Sequence, residues 1–230
     1  MTVHRFFVEP EAIAGDRFPL PASIERQVRR VLRLTDGDRL VLLADDGFET
    51  HCRIAGSDCV VEARRTVTTE PRHRLTVGQA LLKGDALEEV VRQGTELGVI
   101  AFRLIVTERS VAREVSARRL ERLRAIAREA AEQSERGVVP AVDGPIGLAD
   151  AFEPDAVLLF ERNEGRRLRD VAPPPTSILI GPEGGFSAAE VSAAETAGVR
   201  LAGLGPRILR SQTVAVAAAA VVLSRAGDFA

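Results

Sequence analysis

Residues 180–187 read IGPEGGFS and residues 204–213 read LGPRILRSQT, and these two stretches decide the fold of the carboxyl-terminal half. Each is a glycine-bearing loop that we expect to run into a helix. Gly181, Gly184 and Gly185 carry no side chains that would keep another molecule away from the main chain. Both loops are therefore predicted to hold exposed backbone against a ligand, although glycines also serve in tight structural turns.

The sequence around the first loop predicts a strand–loop–helix unit. The apolar run at residues 177–180 has the length of a short strand. Ser187 and Glu190 form the serine-x-x-glutamate pattern of a capping box, so a helix is expected to begin near Ser187. Gly198 stands where a C′ glycine would end that helix.

Similar patterns recur through the chain after residue 70. We expect further strands over residues 75–82, 99–106 and 157–160, and helices over residues 85–98 and 116–136. An alanine-rich helix is expected over residues 214–223. This alternation predicts an α/β domain with a mainly parallel sheet.

The composition of the first loop limits the ligand it can hold. A Walker loop would end in Gly-Lys-Ser/Thr, and no lysine is present here. The spacing G-x-x-G-G also differs from the G-x-G-x-x-G dinucleotide fingerprint, which disfavours an NAD-type enzyme. Glu183 would repel a phosphate while tolerating a ligand with positive groups. The loop is therefore predicted to hold something other than a phosphate.

The whole chain has the composition of a globular protein with one large domain or two small ones, since 45% of its 230 residues are apolar and 28% are charged. The longest apolar run, residues 214–223, is too short to span a bilayer, and the N-terminus lacks the apolar core of a signal peptide. Cys52 and Cys59 lack metal-ligand spacing, so no metal is predicted. These features predict a cytoplasmic protein without a membrane partner.

Short strand-like runs separated by turn signals dominate the first seventy residues. They lie at residues 5–8, 39–44, 50–54 and 60–67, and their spacing predicts a small antiparallel barrel. One helix is expected within this segment, from about Ser23 to Leu34. The polar, proline-bearing sequence at residues 70–74 predicts a boundary that divides the chain into domains 1–70 and 71–230.

The helix predicted at residues 23–34 carries arginines on one side and apolar residues on the other. The arginines are Arg26, Arg29, Arg30 and Arg33, and the apolar residues are Ile24, Val28, Val31 and Leu32. At helical spacing the arginines span an arc of roughly 100°. Such a stripe repels itself, so its natural partner is nucleic-acid phosphate, unless acids from elsewhere in the fold pair with it.

The two loops together resemble the knotted SPOUT methyltransferases and are most similar to the RsmE family, which methylates N3 of a uridine in 16S ribosomal RNA. Four further strings resemble RsmE: KGD at 83–85, TELG at 95–98, ERSV at 108–111 and EAAEQSER at 129–136. The sequence VLR at 31–33 resembles a motif of the family's amino-terminal part. The resemblance therefore extends over nearly all of the carboxyl-terminal half.

This resemblance implies a C-terminal SPOUT α/β domain with a deep trefoil knot, preceded by a small PUA-like β-barrel that helps bind RNA. It implies a homodimer with each active site at or near the subunit contact, and S-adenosylmethionine as the cofactor. We expect main-chain groups of both loops to contact that cofactor and apolar side chains of the second loop to contact its adenine. The predicted cofactor-binding residues are Ile180, Gly181, Pro182, Glu183, Gly184, Gly185, Leu204, Gly205, Ile208 and Leu209.

Arg210 is the predicted catalytic residue, because a nearby arginine would favour the anion of uridine N3 by its charge. An ion-paired structural arginine is the alternative at this position. Lys83, Arg109 and Arg136 are predicted RNA contacts in addition to the arginine stripe.

The chain departs from the usual RsmE pattern at four places. The family usually has His where Gln27 stands, Gln-Lys at residues 92–93, Gly at Glu135, and Glu-Thr-Ala where residues 212–214 read QTV. Because the last departure lies beside the expected active site, an acid–base role for a glutamate there cannot be carried over. Two alternatives stay open: ribose 2′-oxygen methylation, and an RNA-binding protein with an inactive methyltransferase domain.

Overall fold

The computed structural model describes residues 3–161 and 165–229, which form two compact units. The first unit is the chain up to Glu70 together with Ala131–Val139, and the second is Pro71–Ala130 with the chain from Pro140 onward. The division after Glu70 lies beside the predicted boundary, but the sequence does not predict that Ala131–Val139 belongs to the first unit. This assignment has a packing reason, since Ala131 and Val139 join the apolar cluster of Phe7, Val41, Leu43 and Val67.

The first unit contains a five-stranded mixed sheet with the strand order β1-β3-β4-β5-β2. Its strands are β1 His4–Phe7, β2 Arg17–Pro19, β3 Arg39–Leu43, β4 Phe48–Ala55 and β5 Asp58–Thr66. Three pairs are antiparallel, whereas β1 is parallel to β3. The prediction of a purely antiparallel arrangement is therefore wrong at β1, because β2 and a helix form the crossover connection that parallel neighbours require.

The helix of the first unit is shorter than predicted. α1 spans Ala22–Arg26 and continues into a π-helical turn, Gln27–Val31. Its i→i+5 hydrogen bonding widens the turn, so the spacing assumed for a regular helix does not hold. Arg33 lies beyond the turn with φ 57°, and Val31, which was expected to face inward, is 67% exposed.

The second unit contains a six-stranded sheet with the order β11-β9-β10-β6-β7-β8. Its strands are β6 Thr76–Ala80, β7 Ala101–Val106, β8 Ala141–Gly147, β9 Ala156–Leu159, β10 Ser177–Ile180 and β11 Arg200–Ala202. Every pair is parallel, so the predicted α/β class is confirmed. All residues of β9 and β10 are buried, as expected for strands covered on both faces.

Four longer helices belong to the carboxyl-terminal part of the chain: α2 Ala86–Leu97, α3 Ala117–Gln133, α4 Ala188–Thr196 and α5 Ser211–Arg225. The capping box at the start of α4 is confirmed, since Ser187 Oγ accepts from the Glu190 N–H and Glu190 accepts from the Ser187 N–H. Gly198, at φ 83°, follows the end of this helix as predicted. α3 ends at Gln133, before the predicted Arg136. In the described part of the chain, no helix is long and apolar enough to cross a membrane.

Candidate cofactor and active site

A cavity of about 790 Å³ lies at the carboxyl ends of the parallel strands of the second unit. The loops that follow β9, β10 and β11 line it, together with the first turn of α5 and Lys83. Carboxyl ends of neighbouring parallel strands meet at one edge of a sheet, which is where α/β folds bind ligands. A volume of this size falls in the range of small-molecule and cofactor sites.

The structure brings all the predicted cofactor-binding residues together around this one cavity, with Lys83 and the predicted catalytic Arg210. In sequence, the first and second loops are separated by α4 and β11. Their convergence follows from the sheet order, because β9 lies between β10 and β11. The cofactor contacts themselves stay a prediction.

The glycines of the first loop are needed for close packing within the protein. A Cβ on Gly181 would lie 3.3 Å from the Phe186 ring, and one on Gly184 would lie 3.2 Å from Arg109 Cβ. A Cβ on Gly185, where φ is 66°, would lie 3.1 Å from Glu161 Oε1. These glycines allow the loop to pack closely on its own neighbours, so access for another molecule is not the only reason for them.

The second loop presents an apolar side chain to the cavity. Ile208 lines the cavity and is 86% exposed, so core packing does not account for it. Leu204 and Leu209 are half-buried in the same lining. Gly205 has φ 147°, in the region that favours glycine. An exposed isoleucine beside two leucines can contact a flat apolar ring.

A buried chain of hydrogen bonds connects the first loop to the start of α5. Gln79 Nε2 donates to Ser211 Oγ at 2.9 Å, and Ser211 Oγ donates to the Gly181 carbonyl oxygen at 2.6 Å. Gln79 Nε2 also donates to the Ala80 carbonyl oxygen at 3.1 Å. Gln79 is fully buried, and its Oε1 has no hydrogen-bond partner among the described residues. The sequence does not single out this chain, because its members lie in three separate segments.

The cavity carries charges of both signs. Glu161 and Glu183 supply carboxylates, and Lys83, Arg207 and Arg210 supply positive charges. Glu183 Oε1 accepts from the Lys83 backbone N–H at 3.3 Å. Sequence reasoning missed Glu161 and Arg207 as lining residues. Their positions after β9 and β11 were the available signal, since loops at the carboxyl ends of parallel strands gather at the ligand site.

Arg210 immediately precedes α5 as its N-cap residue. Its side chain is exposed, and within residues 3–161 and 165–229 it makes no ion pair. The structure therefore gives no support to the alternative of an ion-paired structural arginine at this position.

Arg109 supports the first loop directly. Its Nη1 donates to the Gly184 carbonyl oxygen at 2.9 Å. The neighbouring Glu108 N–H donates to Glu190 Oε1 at 2.7 Å, which ties the same segment to α4. Arg109, predicted as an RNA contact, thus has a structural partner in the cavity loop.

The remaining predicted RNA contacts lie in different environments. Arg26, Arg30 and Arg33 are exposed, whereas Arg29 donates to the carbonyl oxygens of Leu34 and Gly56. Arg136 is 2% exposed and pairs with Glu70 Oε2 at 3.0 Å. Burial and the pair with Glu70 give Arg136 a structural role, and its RNA contact stays a prediction. Arg136 lies past the end of α3, and its burial limits the partners that it can reach.

No group of three or more His, Cys, Asp or Glu side chains in the described ranges could hold a metal ion.

A family model described as an RNA methyltransferase domain matches residues 68–223 of the chain. The chain is 29% identical to ribosomal RNA small subunit methyltransferase E of Bacillus subtilis, over 92% of each protein. It is 33% identical to the protein of that name from Synechocystis, over 95% of this chain and 77% of the relative.

The fold is also similar to a solved structure. A crystal structure of ribosomal RNA small subunit methyltransferase E from Neisseria gonorrhoeae, bound to S-adenosyl methionine, superposes with a TM-score of 0.88 at 28% identity. The superposition covers 97% of this chain and 98% of that chain.

Proposed function

Because the chain belongs to the RNA methyltransferase family, and within it to the ribosomal RNA small subunit methyltransferases E, we propose that it transfers a methyl group from S-adenosylmethionine to N3 of a specific uridine in 16S ribosomal RNA. The observation that carries this proposal is the single cavity formed by both glycine-bearing loops and Arg210.

The residues around the cavity fit S-adenosylmethionine. When bound, this cofactor supplies a methyl group attached to a positively charged sulfur. The carboxylates of Glu161 and Glu183 match its positive groups, and Leu204, Ile208 and Leu209 match its adenine. The backbone of residues 180–185 supplies donors and acceptors along the first loop. The loop contains no lysine to bind phosphate, which suits a ligand without phosphate.

Arg210 is the side chain that we assign to the reacting base. Uridine N3 carries a proton and is a poor nucleophile until that proton leaves to water. The guanidinium of Arg210 stabilises the imide anion that results, since an opposite charge nearby favours the ionised form. The cavity then orients N3 toward the methyl group, and positioning of this kind supplies much of the acceleration.

The finer features that the family resemblance implies also belong to this proposal. Residues 1–70 act as a PUA-like RNA-binding domain, and the SPOUT domain of residues 71–230 carries the trefoil knot. After edge strand β11 the chain returns to the loop that follows the central strand β10, where Ser211 contacts Gly181. This path of the chain supports the knot. The half-exposed Val214, Val216 and Val221 of α5 support a homodimer. An rRNA substrate supports a cytoplasmic location.

A two-part experiment tests the proposed function. Calorimetry with S-adenosylmethionine measures cofactor binding, and methyl transfer to unmethylated small-subunit RNA is mapped by primer extension and mass spectrometry. We expect a binding signal and a single N3-methylated uridine, which blocks primer extension. A methyl group on a ribose instead indicates the 2′-oxygen alternative, and absence of binding heat indicates an inactive methyltransferase domain.

Arg210→Gln tests the assigned residue. We expect kcat to fall by roughly 100-fold, as for the loss of one charge-stabilising donor, with the Kd of S-adenosylmethionine unchanged. Arg169→Gln is the matched control, because Arg169 is exposed and does not line the cavity. Equal kcat values for the two variants would remove Arg210 from the mechanism.

A further inference from the structure

The first unit also has a concave surface on its sheet, formed in part by β4 and β5. This β4–β5 groove has a volume of about 490 Å³ and is lined by Phe48, Thr50, Arg64, Arg65 and Thr66, among others. Phe48 pairs with Thr66 across the strands, and Thr50 pairs with Arg64. Because side chains alternate along a strand, these four residues share one face of the sheet.

Phe48 is an aromatic residue left open to solvent in this groove. It is 50% exposed, whereas Phe6, Phe7 and Phe18 of the same unit are buried. The Phe48 N–H donates to Asp46 Oδ1 at 2.9 Å, which holds the backbone at the start of β4. A flat apolar ring is therefore presented from an anchored strand.

The two arginines of the groove are exposed, and in the described part of the chain neither side chain makes a hydrogen bond or an ion pair. Other strand arginines of the same unit are paired: Arg5 with Glu49, Arg17 with Asp58, and both Arg39 and Arg53 with Glu62. Among the described residues, Asp46 is the one acid that lines the groove. Arg64 thus places a positive charge without an ion pair among the described residues on the same face of the sheet as the Phe48 ring.

We propose that the β4–β5 groove binds an unpaired nucleotide of the RNA substrate, with its base stacked on Phe48 and an adjacent phosphate bound by Arg64. This inference rests on the proposed function, which supplies RNA as the substrate. An aromatic ring stacks on any unstacked base, and guanidinium groups match phosphate oxygens in a bidentate manner. Bases within a duplex have covered faces, so the groove selects a single-stranded segment.

The groove differs from the arginine stripe that the sequence indicates. Arg29 of that stripe is engaged with backbone carbonyl oxygens, and the stripe offers no aromatic side chain. The groove combines a stacking surface with free positive charge.

The test uses the full-length protein and unmethylated small-subunit RNA, with RNA affinity measured by gel shift and methyl transfer measured separately. Phe48→Leu keeps an apolar side chain but removes the ring, so RNA affinity and the KM for RNA should weaken about 5-fold to 100-fold, the effect of losing one base–aromatic stack. Phe48→Tyr keeps an aromatic ring, so its RNA affinity and its KM for RNA should lie within twofold of the wild-type values. The kcat and the Kd of S-adenosylmethionine should stay unchanged.

Arg64→Gln should weaken RNA binding and reduce its salt dependence by about one counterion. Arg17→Gln is the matched control, because it removes one exposed arginine of the same unit outside the groove. If Phe48→Leu binds RNA like the wild type, or Arg64→Gln behaves like Arg17→Gln, the groove is not the site. RNA binding without methyl transfer by the wild type refutes the proposed function while still testing the groove, and no RNA binding by the wild type refutes both.

Discussion

The hydroxyl group of Ser211 donates a 2.6 Å hydrogen bond to the carbonyl oxygen of Gly181, which joins the first residue of α5 to the cavity loop after β10. Ser211 in turn accepts a hydrogen bond from buried Gln79. The Ser211 hydroxyl group therefore helps to fix both the conformation of the loop and the position of Arg210, the residue before Ser211.

Ser211→Ala should weaken cofactor binding and lower stability together. The substitution leaves the Gly181 carbonyl oxygen without its partner and removes one of the two hydrogen bonds of the Gln79 amide nitrogen, which costs about 1–3 kcal/mol when the groups are buried. We expect the Kd of S-adenosylmethionine to rise roughly tenfold by calorimetry. Ser224→Ala, on the exposed part of the same helix, should change neither quantity.

The double variant Gln79→Leu/Ser211→Ala tests whether the two side chains are energetically coupled in the folded protein. Removing both partners leaves fewer unsatisfied buried groups, so its free energy of unfolding should fall by less than the sum of the two single changes. Additive losses in urea titrations would mean that the two side chains act independently.

Gly185→Ala should affect both stability and the cavity. Its φ of 66° is strained for alanine, and the new Cβ would lie 3.1 Å from Glu161 Oε1. Gly198→Ala is the matched control, with φ 83° and no atom within 4 Å of the new Cβ. Both variants should lose about 1 kcal/mol of stability, and only Gly185→Ala should bind S-adenosylmethionine more weakly. The same Kd in both variants would contradict this reading of the loop.

Glu135→Gly should stabilise the protein. Glu135 follows the end of α3 and has φ 62°, in the left-handed region that favours glycine. Glycine removes a backbone strain of about 1–2 kcal/mol, while the lost ion pair with Arg5 is more than half exposed on the Glu135 side and contributes little. In urea titrations, Glu135→Gly should have the highest midpoint, and the wild-type midpoint should equal or exceed that of Glu135→Ala. A glycine variant less stable than the alanine variant would contradict this order.

Glu49 should make the stability of the first unit depend on acid pH. Burial raises the pKa of Glu49, but hydrogen bonds from Arg5 and His51 outweigh it, so the pKa lies below its ordinary value of 4.5. A carboxylate with a lowered pKa stabilises the folded state above its unfolded-state pKa, and that contribution is lost as pH falls through the folded-state pKa.

Glu49→Gln should therefore lower the thermal midpoint at pH 7 and reduce the difference in stability between pH 7 and pH 3. Glu153→Gln is a control, since its pair with Arg103 is more exposed on both sides. An unchanged pH dependence in Glu49→Gln would show that the Arg5 contact does not couple to folding.

The sequence predicts some helices and strands of the chain better than others. The caps of α4 and the strand at residues 177–180 follow from local patterns, because Ser187, Glu190 and Gly198 act on their own backbone neighbours. The strands β2 and β11 escape prediction because each has only three residues. β8 contains Gly144 and Pro145, which are uncommon within strands.

The arginines show that sequence patterns do not predict the contacts of an individual side chain. Arg136 and Arg109 lie in strings that resemble the same family, yet one is buried against Glu70 and the other is bonded to Gly184. In the predicted stripe, a π-helical turn changes the direction of each side chain after Arg26. An arginine's partner depends on which acids and carbonyl groups the fold brings near it, and those lie far away in sequence.

The sequence by itself determined the α/β class, the two loops and the family, because these depend on local capping, hydrophobic periodicity and short strings of residues. Only the tertiary structure decided that the loops share one cavity, that Glu161 and Arg207 line it, and that Gln79 and Ser211 hold it. The physical reason is the order of the parallel strands, which places the carboxyl ends of β9, β10 and β11 side by side although long stretches of chain separate them.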